Sequence, residues 1–76
     1  MNKERRKQLE TIQESLEELK ADIEALQEEE ENYRDNMPEN LQSSERYEKA
    51  DEACSALYDA VNALEEAVDY ITSAIE

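Results

Sequence analysis

The 76-residue sequence has no histidine, glycine, tryptophan or phenylalanine, and only one proline and one cysteine. Each absence closes a class of function. Without glycine there is no phosphate-cradling loop and no nucleophile elbow, and without histidine there is no zinc-binding pair and no histidine-assisted nucleophile. One cysteine excludes an internal disulfide, and no cluster of cysteines has metal-site spacing. Apolar runs fall far short of the roughly 20 residues that span a bilayer. The basic start runs straight into acidic sequence, without the apolar stretch of a secretory leader. A reduced, cytoplasmic setting is therefore expected, with no membrane association, cofactor or metal. Enzyme activity is not expected either, because general acid/base work needs a sheltered carboxylate and a thin, carboxylate-rich helical chain offers no evident cavity for one.

What remains is rich in Glu, Ala, Leu and Lys, the composition of an all-α protein. At 76 residues the chain is one domain, and chains this small often depend on a disulfide, a metal or association to become stable. Only association is open to this one. Apolar residues at 9, 12, 16, 19, 23 and 26 are answered by apolar residues at 71, 68, 64, 61, 57 and 54, each pair summing to 80. Spacings of three and four put each set on one stripe of a helix, and the reversed order lets the two stripes meet antiparallel. The expected fold is an antiparallel, coiled-coil-like two-helix hairpin, with helix one over about 3–34, a corner over 35–42 and helix two over about 43–75. In this register helix one presents Leu9, Leu16 and Ile23 at a, and Ile12, Leu19, Leu26 and Tyr33 at d. Cys54 lies opposite Leu26 as a small apolar side chain, and Tyr33 opposite Tyr47. In the corner, Asn36, Pro38 and Glu39 read as a capped helical turn. Met37 and Leu41 are placed to close the core, and Ser43 or Ser44 to cap helix two.

Helix two carries a second stripe beside its seam: Ala53, Ala56, Ala60, Ala63, Ala67, Tyr70 and Ala74. Alanine permits close approach of helices, so this stripe is expected to pack on another copy and form a four-helix homodimer. The alternative is that alanine sits on an exposed face simply as the best helix former.

Charge is one-sided, with 22 acidic against 8 basic residues. Four of the basic ones, Lys3, Arg5, Arg6 and Lys7, fall in the first seven positions, so residues 8–76 carry a net charge of −17. Direct binding of nucleic acid by this body is disfavoured, since phosphates would be repelled. The basic segment is expected to pair with Glu65, Glu66, Asp69 and Glu76 across the open end, or else to form a basic tip touching RNA, DNA or lipid. Glu28–Glu31 oppose the dipole of helix one, and Glu30 faces Ala50, from where it can reach Arg46 or Lys49. Glu10, Glu14, Glu17, Glu18, Glu24, Glu28 and Glu31 read either as a solvated face or as a carboxylate ladder that imitates a phosphate backbone and binds a basic protein. Tyr58, off the main seam with an apolar body and a polar tip, joins them as a candidate contact.

The opening MNKERRK and the segment YRDNMPENLQSSERYEKADEA, residues 33–53, resemble short acidic helical-hairpin proteins of phages and prophages of Gram-positive bacteria, most of them without an assigned activity. The resemblance implies a mobile-element origin, and small acidic proteins of that origin include inhibitors of host nucleases and other defence systems. It carries no functional residue onto this chain. Two functions follow as expectations. One is a module that binds and blocks a host protein, for the carboxylate ladder a basic, nucleic-acid-handling one such as a defence nuclease. The other is a structural or adaptor protein of phage assembly that acts through bundle packing.

Overall fold

The computed structural model describes residues 1–76 as two long helices folded back on each other, with no strands. Helix α1 runs Lys3–Asp35 and α2 runs Glu45–Ile75, joined by a corner that contains one 3-10 turn, Glu39–Leu41. The hairpin is a narrow plank, with principal extents of 59 × 15 × 12 Å. No helix is long and apolar enough to cross a membrane.

The helix ends follow from local hydrogen bonding. The Asn2 side chain caps α1 by accepting from the Arg5 N–H at 2.8 Å, which satisfies one of the free amides of the first turn. At the other end Asn36 donates its N–H to the Asn32 carbonyl at 3.0 Å. Pro38 then stops the helix, because the residue before a proline is pushed out of helical geometry. The Leu41 and Gln42 amides donate to the carbonyls of Pro38 and Glu39. Ser44 caps α2, its Oγ accepting from the Tyr47 N–H at 3.3 Å, with Glu45 and Glu48 in the first turn, where carboxylates complement the helix dipole. The expected cap from Asn36 to the short turn is not made. That turn begins at Pro38 with no side-chain bond, and Asn36 serves instead at the end of α1. No residue in the chain has a positive φ, so the reversal needs no glycine.

Only Met37, Ala50 and Cys54 are buried, one in the corner and two in the first three turns of α2. The rest of the seam is half-buried. On α2 it is the expected one: Tyr47, Leu57, Val61, Leu64, Val68, Ile71 and Ile75 join Ala50 and Cys54. On α1 the seam departs from expectation. Leu9, Leu16 and Ile23 face the partner helix, but Ile12, Leu19, Leu26 and Tyr33 do not close the core and are 48 to 56% exposed. Their places are taken by the next positions along, Gln13, Lys20, Gln27 and Arg34, each half-buried. Helix α1 is thus turned about its axis, and its seam runs through positions a and e instead of a and d.

The turn fits what those side chains reach, three of them across the seam. Gln13 donates to the Val68 carbonyl at 3.1 Å and to the Thr72 hydroxyl at 2.6 Å. Lys20 lies 3.9 Å from Glu65, and Arg34 donates to Asp51 at 2.9 Å. Gln27 lines a groove with Tyr58. All four pairs sum to 85, a second antiparallel register beside the first. Their alkyl stems cover the seam while their polar heads stay at its edge, an arrangement branched apolar side chains cannot supply. Ala50, at 3% exposure, marks the tightest point of the seam. Ala50→Leu is expected to destabilise the hairpin by about 1–3 kcal/mol through overpacking. Exposed Ala56→Leu should shift stability by less than about 0.5 kcal/mol, both read from urea unfolding followed by circular dichroism.

Candidate functional site

Turning α1 gives the plank two unlike faces. One carries the polar clasps. On that side α1 presents Glu10, Glu17, Glu24 and Glu31, seven residues apart and so stacked in one column, and α2 presents Asp51, Tyr58, Glu65 and Thr72. Gln27, Glu31, Arg34, Cys54, Ser55, Tyr58 and Asp59 share a groove of about 320 Å³ there, and Glu24, Gln27, Glu28 and Glu31 share a neighbouring one of about 640 Å³. The structure therefore brings Glu10, Glu17, Glu24 and Glu31 together with Tyr58, which is 58% exposed. Glu14 and Glu28 flank this column on the outer side of α1, while Glu18 is turned away from it by helical geometry. The Glu31 carboxylate accepts a hydrogen bond from Gln27 Nε2 at 3.0 Å; the other six are exposed.

The opposite face is apolar. It combines the exposed row Ile12, Leu19, Leu26 and Tyr33 of α1 with Ala53, Ala60 and Ala67 of α2, which are half-buried beside the seam. Near the corner, Tyr33 shares a groove with Glu30, Arg46, Lys49 and Ala50, which places the α1 row and the α2 alanine row on one side of the hairpin. The alanine stripe is accordingly divided. Ala53, Ala60 and Ala67 border this face, with Ala74 exposed at the end of the same column, while Ala56, Ala63 and Tyr70 are exposed farther round α2, Tyr70 at 75%. Sequence reasoning placed the α1 row inside the hairpin and so missed it as surface. The signal that could have found it was the second register, in which polar side chains at 13, 20, 27 and 34 meet polar or aromatic ones at 72, 65, 58 and 51.

Two electrostatic expectations are corrected. The basic segment makes no ion pair, and Glu65 pairs with Lys20 instead of with Lys3, Arg5, Arg6 or Lys7. In the mirror register Arg5 falls opposite Ile75, the last residue of α2, and none of the four basic side chains comes within ion-pair distance of an α2 carboxylate. Glu30 sits beside Arg46 and Lys49 but bridges to neither; Lys49 pairs with Glu45, one turn away on its own helix. The bridge that does tie the helices at the corner is Arg34, which donates to Asp35 and Asp51, each at 2.9 Å. These two carboxylates hold its guanidinium still more firmly in the charged form. At Cys54, burial pushes the thiol pKa up, with Arg34 opposing the shift. Met37 is buried as a corner cap, whereas Leu41 is at the edge of exposure at 36%. No group of three His, Cys, Asp or Glu side chains is arranged to hold a metal ion.

Comparison with protein-family models, with curated protein sequences and with solved structures gives no match. The features that define the chain's class are its own: an acidic helical hairpin with one carboxylate face and one apolar face.

Burial of Cys54 has a pH consequence. A thiol whose pKa is raised on folding supports the fold fully below its unfolded pKa, about 9.0. That support is lost as pH rises through the folded value, because the unfolded chain ionises first. Stability is expected to fall between pH 8 and pH 11 by more in the native chain than in Cys54→Ala, read as the difference between their urea unfolding free energies. Equal slopes would contradict it.

Proposed function

We propose that this chain is a non-enzymatic protein-binding module of phage or prophage origin. It binds and blocks a protein of the bacterial host, in the cytoplasm, by offering a carboxylate surface in place of nucleic acid. The observation that carries this reading is the column Glu10, Glu17, Glu24 and Glu31. At roughly 1.5 Å per residue its carboxylates repeat about every 10.5 Å along a straight rod. The Asp51 and Glu65 carboxylates lie across the same face, and Tyr58 offers an aromatic anchor between them. A surface of one sign steers a basic partner into place and rejects acidic ones. The class of target this fits is a nucleic-acid-handling protein such as a defence nuclease; duplex DNA itself is repelled by the same surface.

A second reading is favoured by the apolar face. Ile12, Leu19, Leu26 and Tyr33 would pack on further helices, so that the hairpin serves as a structural or adaptor element of phage assembly, or pairs with its own copy in a four-helix homodimer.

Capture from a bacterial host lysate on immobilised chain, at low and at high salt, separates these readings. Blocking through the acidic face predicts a retained basic protein that is released by salt and by duplex DNA. It also predicts at least tenfold weaker retention on Glu10→Lys, Glu17→Lys, Glu24→Lys than on the native chain. Unchanged retention by that variant, or DNA that fails to compete, would rule out mimicry. Retention lost instead on Leu19→Glu would favour bundle packing.

A further inference from the structure

The single hairpin leaves too much surface in water. Its accessible area is 5854 Å², whereas a compact monomer of 8.8 kDa exposes about 4800 Å². The difference, about 1000 Å², matches what each partner loses in a standard protein interface, about 800 Å². Only three residues are buried, one in the corner and two in the first three turns of α2, while four large apolar side chains line one face along the length of α1. That face asks for a cover as long as the hairpin itself, and a second copy supplies one.

Two stackings bring apolar face to apolar face with a two-fold axis. In one, both corners lie at the same end. In the other the corners lie at opposite ends, with α1 antiparallel on α1 of the second copy, so that Leu19 meets Leu26 and Ile12 meets Tyr33. The distribution of charge discriminates between them. The corner half, residues 21–59, holds 13 acidic and three basic residues, a net of −10. The open half, residues 1–20 and 60–76, holds nine acidic and five basic residues, a net of −4, because the unpaired Lys3, Arg5, Arg6 and Lys7 sit there. Stacking corner on corner sets −10 against −10. Stacking corner on open end sets −10 against −4 twice, which costs less repulsion at every ionic strength and gives the basic segment an acidic neighbour.

We propose that two copies of this chain associate through the Ile12, Leu19, Leu26 and Tyr33 face in this corner-to-open-end arrangement, and that the pair is the form that presents a nucleic-acid-like charge. The proposal rests on the reading of the acidic face above and gives it a scale. A single hairpin carries 14 net negative charges over 59 Å, about one per 4 Å. The pair carries twice as many over the same length, about one per 2 Å, against about one per 1.7 Å for duplex DNA. Because each end of the pair combines a −10 half with a −4 half, the charge is level from end to end.

The test is double electron–electron resonance on the full chain carrying Cys54→Ala and a single spin label at Glu39→Cys, in the corner, with sedimentation equilibrium on the unlabelled native chain. The expected result is a mass twice 8.8 kDa and a label separation that takes up most of the 59 Å length. A separation within about 20 Å, the reach of neighbouring packed helices, would overturn the arrangement while leaving the acidic-face reading intact. A mass of one chain at concentrations up to a millimolar would overturn association itself. A second comparison fixes the face. Leu19→Gln with Leu26→Gln is expected to weaken self-association at least tenfold, and Tyr58→Gln to leave it unchanged; the reverse pattern would overturn the proposal. Capture of a host protein that survives in a monomeric variant would overturn the claim that the pair is the active form.

Discussion

The structure depends on how Gln13, Lys20, Gln27 and Arg34 lie across the seam. Each sits one place beyond an apolar d position with a stem long enough to cover the groove; the heads of Gln13, Lys20 and Arg34 find Val68, Thr72, Glu65 or Asp51 at its edge, and that of Gln27 donates to Glu31 on its own helix. To bring them there, α1 must turn, and turning it expels Ile12, Leu19, Leu26 and Tyr33 from the interior. The clasps are weak singly, since exposed ion pairs contribute about 0.2–1 kcal/mol each. Three in one register act together to fix the rotation. That rotation decides which face of the plank is charged and which is apolar, and so decides what the molecule can meet.

Much of this architecture was legible in the residues, because the strongest signals in it are periodic. The mirror of apolar positions about residue 40 specifies a hairpin, and the α2 seam from Tyr47 to Ile75 follows its three-and-four spacing closely. A serine cap at 43 or 44, the role Ser44 takes, and Met37 as the corner plug could likewise be read from side-chain chemistry. The rotation of α1 could not be read in the same way. Apolar spacing assigns a stripe but does not say whether the interface is centred on its a–d side or its a–e side. The difference is about 50° around the helix axis, and it is settled by polar side chains, which a hydrophobic pattern ignores. The basic segment misled for a related reason: proximity in a mirror register is not an ion pair, and Arg5 stands opposite Ile75 at the very end of α2 without meeting a carboxylate. The candidate acidic contacts were legible as a set, but only the settled rotation separates the column of Glu10, Glu17, Glu24 and Glu31 from Glu18.

Stability and recognition are coupled in such a thin molecule. With three residues buried, the hairpin has little interior of its own, and a small domain of this kind draws stability from whatever covers its apolar face. The carboxylates work against any like-charged neighbour, so association must gather enough apolar contact to outweigh repulsion between two strongly negative rods. Salt lowers that repulsion and at the same time weakens attraction to a basic target. In the proposed function the same ions would favour self-association and oppose capture of a basic partner, so that the two faces of the plank would respond to ionic strength with opposite sign.

Pro38 has a meaning beyond ending α1. A self-complementary apolar face on a two-helix chain invites domain exchange, in which the corner straightens, the helices become one rod and successive chains interlock without limit. A proline at this position clashes with the Arg34 carbonyl in any continuous helix and removes an amide that helix would need. The bend is thereby biased against its most damaging alternative, and in the proposed pair growth would halt at a closed assembly instead of running on into a filament.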